Sequence, residues 1–249
     1  MKTDSDTKFP LVRSLGIELH YVEQAGSTNS VMATKESWPA FSIVLTEEQT
    51  AGRGRLGRTW ISRPGESLAL SVMVPTLPHG PGLTWIPLLA GACLVEALGR
   101  AGLPRVGLKW PNDVLVGGKK IAGMLCEVHP NGGVIVGVGL NLRFLGQPPS
   151  ENAVALSEFM ETGDPVIDVI LAGFIDVLRT SQTWEGTQAH TFVSEKLLSV
   201  NREVDVVPVA GESWRGLARG VNREGHLIVR NAHGDDVEIV AADVHHLYQ

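Results

Sequence analysis

Residues 52–58 contain three glycines and three arginines in a run of seven, which we call the Arg/Gly loop. Glycine lets a backbone approach a ligand closely, and arginine supplies fixed positive charge with donors that suit a carboxylate or a phosphate. The run follows one apolar segment, residues 41–45, and precedes another, residues 67–74. It is therefore predicted to be a loop between two strands that folds over an anionic ligand.

A solvated basic segment of a nucleic-acid-binding protein is the alternative interpretation of such a run. The whole chain, however, carries a formal net charge of −6, so no overall field attracts nucleic acid. The run is also flanked by globular sequence on both sides. These observations favour an anion-binding catalytic loop and a protein without a nucleic-acid partner.

A second informative group follows a short apolar run that ends at Lys109. A lysine at the end of a buried strand lies at the mouth of a sheet, where ligands bind. Pro111 restricts Trp110 to an extended conformation. Asn112 and Asp113 add an amide and a carboxylate that can reach a phosphate, a sugar or Mg²⁺. A surface turn explains the Pro-Asn-Asp sequence, but it does not explain the lysine and the tryptophan before it.

Two further segments carry a weaker signal. Gly137 and Gly139 stand two apart in a predicted strand, which indicates a bulge or the close approach of a ligand. They do not form a dinucleotide-binding fingerprint, because a third glycine and a following helix are missing. Residues 119–123, Lys-Lys-Ile-Ala-Gly, are as compatible with a basic hairpin flank as with a ligand site.

The elements that must position these residues are short strands and a few helices. The strands of the first part are predicted over residues 17–22, 41–46, 67–74, 106–109, 114–116, 120–128 and 134–138. The helices are predicted over residues 30–36 and 83–101 and for about fifteen residues from Asp164. Four short strands separated by turns, which indicate a small β-barrel, are predicted over residues 203–209, 214–221, 226–230 and 237–240.

The composition is that of an ordinary globular protein. The 249 residues are 43% hydrophobic and 19% charged, enough for one large domain and one small domain. Cys93 and Cys126 stand in apolar runs and are expected to be buried and reduced. The first ten residues are polar, and the longest apolar run is too short to cross a bilayer. We therefore expect a cytoplasmic protein without a membrane partner.

Taken together, the motifs resemble those of the biotin protein ligase family, also called biotin–[carboxyl-carrier] ligases. The matching segments stand in the family's order and comprise residues 26–29, 48–60, 109–113, 120–123 and 137–141. The resemblance implies an α+β fold, with a mixed β-sheet and helices of the class II aminoacyl-tRNA synthetase and biotin ligase type. A small SH3-like barrel is expected to follow the sheet.

The resemblance also implies a domain organisation. Residues 1–12 are expected to be a flexible tail, residues 13–190 a catalytic domain that binds biotin and ATP, and residues 195–249 the barrel. Some family members carry an N-terminal DNA-binding domain. Only some sixteen residues precede the first predicted strand here, so a stand-alone ligase is expected. The sequence does not decide whether the protein forms a homodimer.

The implied activity is the ATP- and Mg²⁺-dependent ligation of biotin to a lysine of a biotin carboxyl carrier protein domain, within a biotin-dependent carboxylase. The family first makes biotinyl-5′-AMP, a step in which a carboxylate attacks the α-phosphate. Two anions must meet, so cationic stabilisation is the main requirement. No Ser-His-Asp or Cys-His arrangement is needed, because the carrier supplies the nucleophile.

The resemblance gives the site residues, and it assigns catalysis to Lys109 and Arg55. The residues expected to bind biotin are Ser27, Thr28, Asn29, Gln49, Arg53, Gly54, Arg55, Lys109 and Gly123. The residues expected to bind the nucleotide are Arg55, Arg58, Trp60, Lys109, Asn112 and Asn141. No protein-held metal is expected, since Mg²⁺ accompanies ATP.

Two other functions are alternatives at this point. A lipoate or octanoate ligase or transferase of the same superfamily shares the fold, although its ligand loops differ. A non-catalytic, biotin-responsive binding protein is the alternative of another class, and the retained Lys109 and full Arg/Gly loop argue against it.

Overall fold

A computed structural model of the chain describes residues 8–75 and 83–247. In these two ranges the helices are α1 (Pro10–Ser14), α2 (Thr28–Thr34), α3 (Ile86–Arg100), α4 (Asp164–Ser181) and α5 (Gly186–Ser194). The strands of the first sheet are β1 (Leu19–Tyr21), β2 (Ile43–Thr46), β3 (Ser67–Val74), β4 (Val106–Lys109), β5 (Asp113–Val116), β6 (Lys119–Val128) and β7 (Val134–Asn141). Those of the second sheet are β8 (Glu203–Pro208), β9 (Trp214–Val221), β10 (Leu227–Arg230), β11 (Asp236–Ile239) and β12 (Ala242–His246).

The first sheet has seven strands in the order β1-β2-β3-β7-β6-β5-β4. Strands β1 and β2 pair in parallel, and every other neighbouring pair is antiparallel. The predicted mixed sheet is therefore confirmed. The Gly117-Gly118 turn joins β5 to β6, and both glycines have the positive φ that a two-residue hairpin requires.

Both faces of the central strands are covered, which explains why their sequences are continuously apolar rather than alternating. Ile43 and Leu45 face the main core, into which α3 and α4 pack. Val44 points to the opposite face and forms a smaller cluster with Met32 of α2 and Ile135 of β7. The turn at the start of α2 thereby lies over the middle of the sheet.

The second sheet is antiparallel throughout, in the order β11-β10-β9-β8-β12. This arrangement fits an SH3-like unit, although the pairing by itself does not close a barrel. The polar strand β12 and the helix α5 have no counterpart among the predicted elements. Helix α5, Gly186–Ser194, spans residue 190, where the catalytic domain is expected to end.

The predicted flexible tail over residues 1–12 is wrong for its last four residues. Phe9 and Val12 are 1% and 0% exposed, and they belong to the main core. The backbone N–H groups of Leu11 and Val12 donate to the carboxylate of Asp168 in α4, at 2.7 and 3.0 Å. This buried carboxylate fixes the first turn of α1. Residues 1–7 and 248–249 lie outside the described residues.

Candidate active site

One cavity opens beside strands β4 to β7 and is covered by the Arg/Gly loop. Every predicted site residue except Asn141 lines it. Those that do are Ser27, Thr28, Asn29, Gln49, Arg53, Gly54, Arg55, Arg58, Trp60, Lys109, Asn112 and Gly123. Segments far apart in the sequence are thus brought to one place.

Asn141 lies away from the cavity lining. Its side-chain amide donates to the carbonyls of Val154 at 3.1 Å and Lys120 at 3.3 Å. Asn141 is also only 4% exposed. Its side chain therefore braces the end of β7 against neighbouring backbone, and its proposed contact with the nucleotide stays a prediction.

A polar floor lies where α2 begins. The backbone N–H of Thr28 donates to Gln49 Oε1 at 2.9 Å. The Ser71 hydroxyl donates to Asn29 Oδ1 at 2.6 Å and lies 2.8 Å from the Thr28 hydroxyl. The Asn29 amide in turn donates to Glu127 Oε2 at 2.6 Å. Because each of these groups is held by a neighbour, the floor offers a polar ligand donors and acceptors in fixed positions.

The Arg/Gly loop connects β2 to β3, as predicted, and it folds back on itself. The backbone N–H of Trp60 donates to the Gly52 carbonyl at 2.9 Å, and the backbone N–H of Gly54 donates to the Arg58 carbonyl at 2.7 Å. A Cβ at Gly52 would lie 2.4 Å from the Trp60 carbonyl oxygen, so only glycine fits there. Leu56 has a φ of +54° at the tip of the loop.

The three arginines of the loop have different partners. Arg53 forms an ion pair with Glu127 of β6 at 2.9 Å. Arg58 pairs with Asp243, which belongs to β12 of the second sheet. Within the described part of the chain, Arg55 pairs with no carboxylate and donates to Asn112 Oδ1 at 3.2 Å. Ion pairs therefore hold both ends of the loop, and the side chain of its central arginine, Arg55, lines the cavity.

Lys109 and Arg55 share the lack of a nearby carboxylate among the described residues. Neither cation has a carboxylate within 4 Å among residues 8–75 and 83–247, whereas Lys120 is paired with Asp113 at 2.7 Å. Burial lowers the pKa of Lys109, and the charge of Asp113 offsets part of this effect. Burial likewise lowers the pKa of Arg55, opposed by Asp243. Desolvated, unpaired positive charge is unfavourable alone, so it favours the binding of an anion.

The two glycines of β7 serve the protein's own side chains. A Cβ at Gly139 would lie 2.3 Å from the Trp60 ring, and one at Gly137 would lie 2.4 Å from Asn29 Oδ1. Pairing of β7 with β3 and β6 runs through both positions without a shift, so the predicted bulge is wrong. The buried Trp60 indole N–H has no partner within the described part of the chain.

One part of the cavity lining could not be predicted from the sequence, namely Asp243, Val244 and His245 of β12. Asp113, which follows the Lys-Trp-Pro-Asn motif, and Lys120 also line the cavity. The Lys-Lys-Ile-Ala-Gly segment was compatible with a ligand site that includes Lys120. Nothing in the sequence indicated β12, because its approach depends on how the second sheet packs against the first.

Comparisons with known proteins identify the family. Residues 21–143 match the model of the Biotin/lipoate A/B protein ligase family. Over 244 residues the chain is 31% identical to the biotin–[acetyl-CoA-carboxylase] ligase of Mycobacterium tuberculosis, which covers 92% of this chain and 89% of that protein. The chain belongs to the biotin protein ligase family.

Two solved biotin protein ligases extend the likeness to three dimensions. The enzyme from Aquifex aeolicus in complex with biotin and ATP gives a TM-score of 0.79 at 25% identity, over 93% of this chain and 99% of that one. The enzyme from Leishmania major in complex with biotinyl-5-AMP gives 0.60 at 26% identity, over 90% and 99%. The expected ligase fold is thus confirmed. No helix in the described ranges has the length and apolarity to cross a membrane.

Proposed function

We propose that this biotin protein ligase joins biotin to a lysine of a biotin carboxyl carrier domain, through biotinyl-5′-AMP made from biotin and ATP. The observation that carries the proposal is a pair of half-buried cations, Lys109 and Arg55, which line one cavity and have no carboxylate partner within residues 8–75 and 83–247. The ligands named for the related structures and the name of the Mycobacterium tuberculosis relative support it.

In the first step, a carboxylate oxygen of biotin attacks the α-phosphorus of ATP. The bond from that phosphorus to the bridging oxygen breaks, and pyrophosphate leaves with the electron pair. Lys109 and Arg55 lower the barrier by stabilising negative charge that gathers around the α-phosphate. Their partial burial strengthens this effect, because water screens a partly desolvated charge less.

In the second step, the carrier's lysine amine attacks the acyl carbon of biotinyl-5′-AMP. An amide bond forms, AMP leaves as the anion, and the amine loses a proton to the solvent. The enzyme has to orient the amine and exclude water, which would otherwise hydrolyse the mixed anhydride. We assign the second task to the closed Arg/Gly loop.

The remaining cavity residues divide between the two ends of the intermediate. The biotin end comprises Ser27, Thr28, Asn29, Gln49, Arg53, Gly54 and Gly123, and it includes the polar floor. The nucleotide end comprises Arg58, Trp60 and Asn112. Residues 8–75 and 83–247 hold no cluster of three or more metal-binding side chains, and Mg²⁺ enters as the complex with ATP. We propose residues 13–190 as the catalytic domain and residues 195–249 as the C-terminal SH3-like domain.

Mass spectrometry of a biotin carrier domain tests the proposal directly. The domain is incubated with this protein, ATP, Mg²⁺ and biotin, and a gain of one biotinyl group on one lysine is expected. Parallel reactions with lipoate and octanoate test the superfamily alternative, and biotin-dependent ATP–pyrophosphate exchange tests for a mere binding protein. Modification by lipoate alone, or no exchange, would contradict the proposal.

A further inference from the structure

Strand β4, which ends at Lys109, is held from its outer side by the chain that leads into the second sheet. The Leu108 N–H donates to the Lys196 carbonyl, and the Leu198 N–H donates to the Leu108 carbonyl, both at 2.8 Å. A Cβ at Gly107 would lie 2.5 to 2.8 Å from three side-chain atoms of Leu198, so the two segments are in close contact. The edge of the first sheet is therefore covered.

Trp110, the next residue after Lys109, is anchored to the same region. Its side chain is 1% exposed, and the indole N–H donates to the Gly225 carbonyl at 2.9 Å, in the turn between β9 and β10. Its backbone N–H donates to Ser199 Oγ at 3.2 Å. Residues on both sides of Lys109 are thus fixed by the C-terminal part of the chain.

A buried histidine completes this chain of hydrogen bonds. Ser199 Oγ lies 2.8 Å from His246 Nε2, and the two residues are 0% and 8% exposed. Ser199 Oγ accepts from the backbone N–H of Trp110 and lies within hydrogen-bonding distance of His246 Nε2, so it links the two residues. Burial, with the nearby charges of Lys109 and Arg202, lowers the pKa of His246 to about 4, so the ring is neutral at pH 7 and its Nε2 can accept.

The Lys109 side chain extends from the backbone that these contacts hold. No carboxylate of the described residues lies within 4 Å of it, so no ion pair orients the side chain. We propose that Ser199 and His246 are positioning residues for Lys109, which hold the end of β4 in register with the cavity. This inference rests on the proposed adenylate chemistry, in which a small misplacement of a cation costs much of its effect.

The test compares Ser199→Ala with Ser181→Ala, in the full-length chain. Ser181 is a matched control, because it is also buried, and its hydroxyl donates within α4 to the Leu178 carbonyl at 2.7 Å. We expect Ser199→Ala to lower biotin-dependent pyrophosphate exchange about ten-fold, and Ser181→Ala to leave it within about two-fold. His246→Leu should resemble Ser199→Ala, while His246→Gln, which keeps an acceptor, should retain most of the rate.

A double-mutant cycle separates positioning from a general loss of structure. If Ser199 acts through Lys109, adding Ser199→Ala to Lys109→Ala should cause no further loss of exchange. An equal ten-fold loss in that background would overturn the inference, as would normal exchange in both Ser199→Ala and His246→Leu. His246→Leu supplies the same comparison should Ser199→Ala fail to fold. Absence of exchange in the unmodified protein would instead refute the proposed function, and the inference with it.

Discussion

At the residue scale, Lys109 and Arg55 differ from the other cations of the cavity in lacking a carboxylate partner among the described residues. We predict that Lys109→Ala lowers the rate of adenylate formation by about 10² to 10³, the usual cost of removing one group that stabilises transition-state charge. Biotin-dependent pyrophosphate exchange measures this rate. The exposed Lys119 in the β5–β6 hairpin is the control, and a Lys109→Ala rate close to that of Lys119→Ala would remove Lys109 from the mechanism.

Arg55 should matter more for holding the adenylate than for making it. Its side chain bridges the loop to Asn112, while Lys109 still serves the first step. We predict that Arg55→Gly releases more biotinyl-5′-AMP, which then acylates lysines of unrelated proteins. Biotin labelling of an albumin measures the release, with Arg63→Gly, outside the cavity lining, as the control. Equal labelling by both variants, with adenylate still formed, would refute the retention role.

His246 should make the stability of the fold depend on pH. The unfolded histidine binds a proton near pH 6.5, whereas the folded one does so only near pH 4. The unfolded state therefore takes up more protons in this interval, and stability falls as the pH is lowered from 6.5 to 4, by about 3 kcal/mol from this group. Urea unfolding across this range should show a smaller fall for His246→Gln than for the unmodified protein. Parallel curves would contradict the prediction.

The residues that line the cavity were largely predictable because they stand in short contiguous motifs. The arginine motif and the Lys-Trp-Pro-Asn motif could be recognised without any fold. Asn141 and Asp243 show the limit of such reasoning. Asn141 belongs to a motif, but its side chain donates to backbone carbonyls away from the cavity lining. Asp243 belongs to no motif, but the packing of β12 brings it to the cavity.

At the scale of elements, the Arg/Gly loop is the segment whose conformation we expect a ligand to change. Its glycines lower the cost of rearrangement, and its central arginine, Arg55, has no carboxylate partner among the described residues, so an anion in the cavity would stabilise the closed loop. We predict that trypsin cleavage within residues 52–63 slows strongly when biotin and ATP are added. Cleavage after Arg223, in the turn between β9 and β10, is the internal control. Equal protection at both places would argue against a specific closure of the loop.

Strand β7 should tolerate no side chain beneath the Trp60 ring. The Cβ of Gly139→Ala would overlap the indole, and we predict a loss of about 1 to 3 kcal/mol in the free energy of unfolding. Gly146→Ala is the control, because a Cβ there would meet nothing within 4 Å. Urea denaturation of the two variants measures the difference. Equal stability would mean that Trp60 moves aside at little cost.

The elements themselves could be predicted where apolar residues mark them. Strands β4 and β9 have the bounds that the sequence indicates, and α4 begins at Asp164 as expected. Helix α5 and strand β12 could not be predicted, since polar residues dominate both and their burial comes from other parts of the chain. Helix α1 could not be predicted for a related reason, because the carboxylate that accepts from its first turn belongs to Asp168 in α4.

At the scale of the whole molecule, a mixed sheet followed by a β-rich unit could be predicted from the spacing of strands and turns. The way the two sheets share one cavity could not. That sharing depends on the packing of Trp110 against Gly225 and on the pairing of Arg58 with Asp243. Both are contacts between residues more than a hundred positions apart, which no local pattern encodes.

The placement of β12 in the cavity wall also sets an order of events during synthesis. The Arg/Gly loop and Lys109 leave the ribosome long before residues 242–246, which supply the last part of the wall. A nascent chain therefore carries its charged groups beside an unfinished cavity. A polypeptide that stops before β12 lacks Asp243 and His246 together, and so loses the partner of Arg58 and the partner of Ser199 at once.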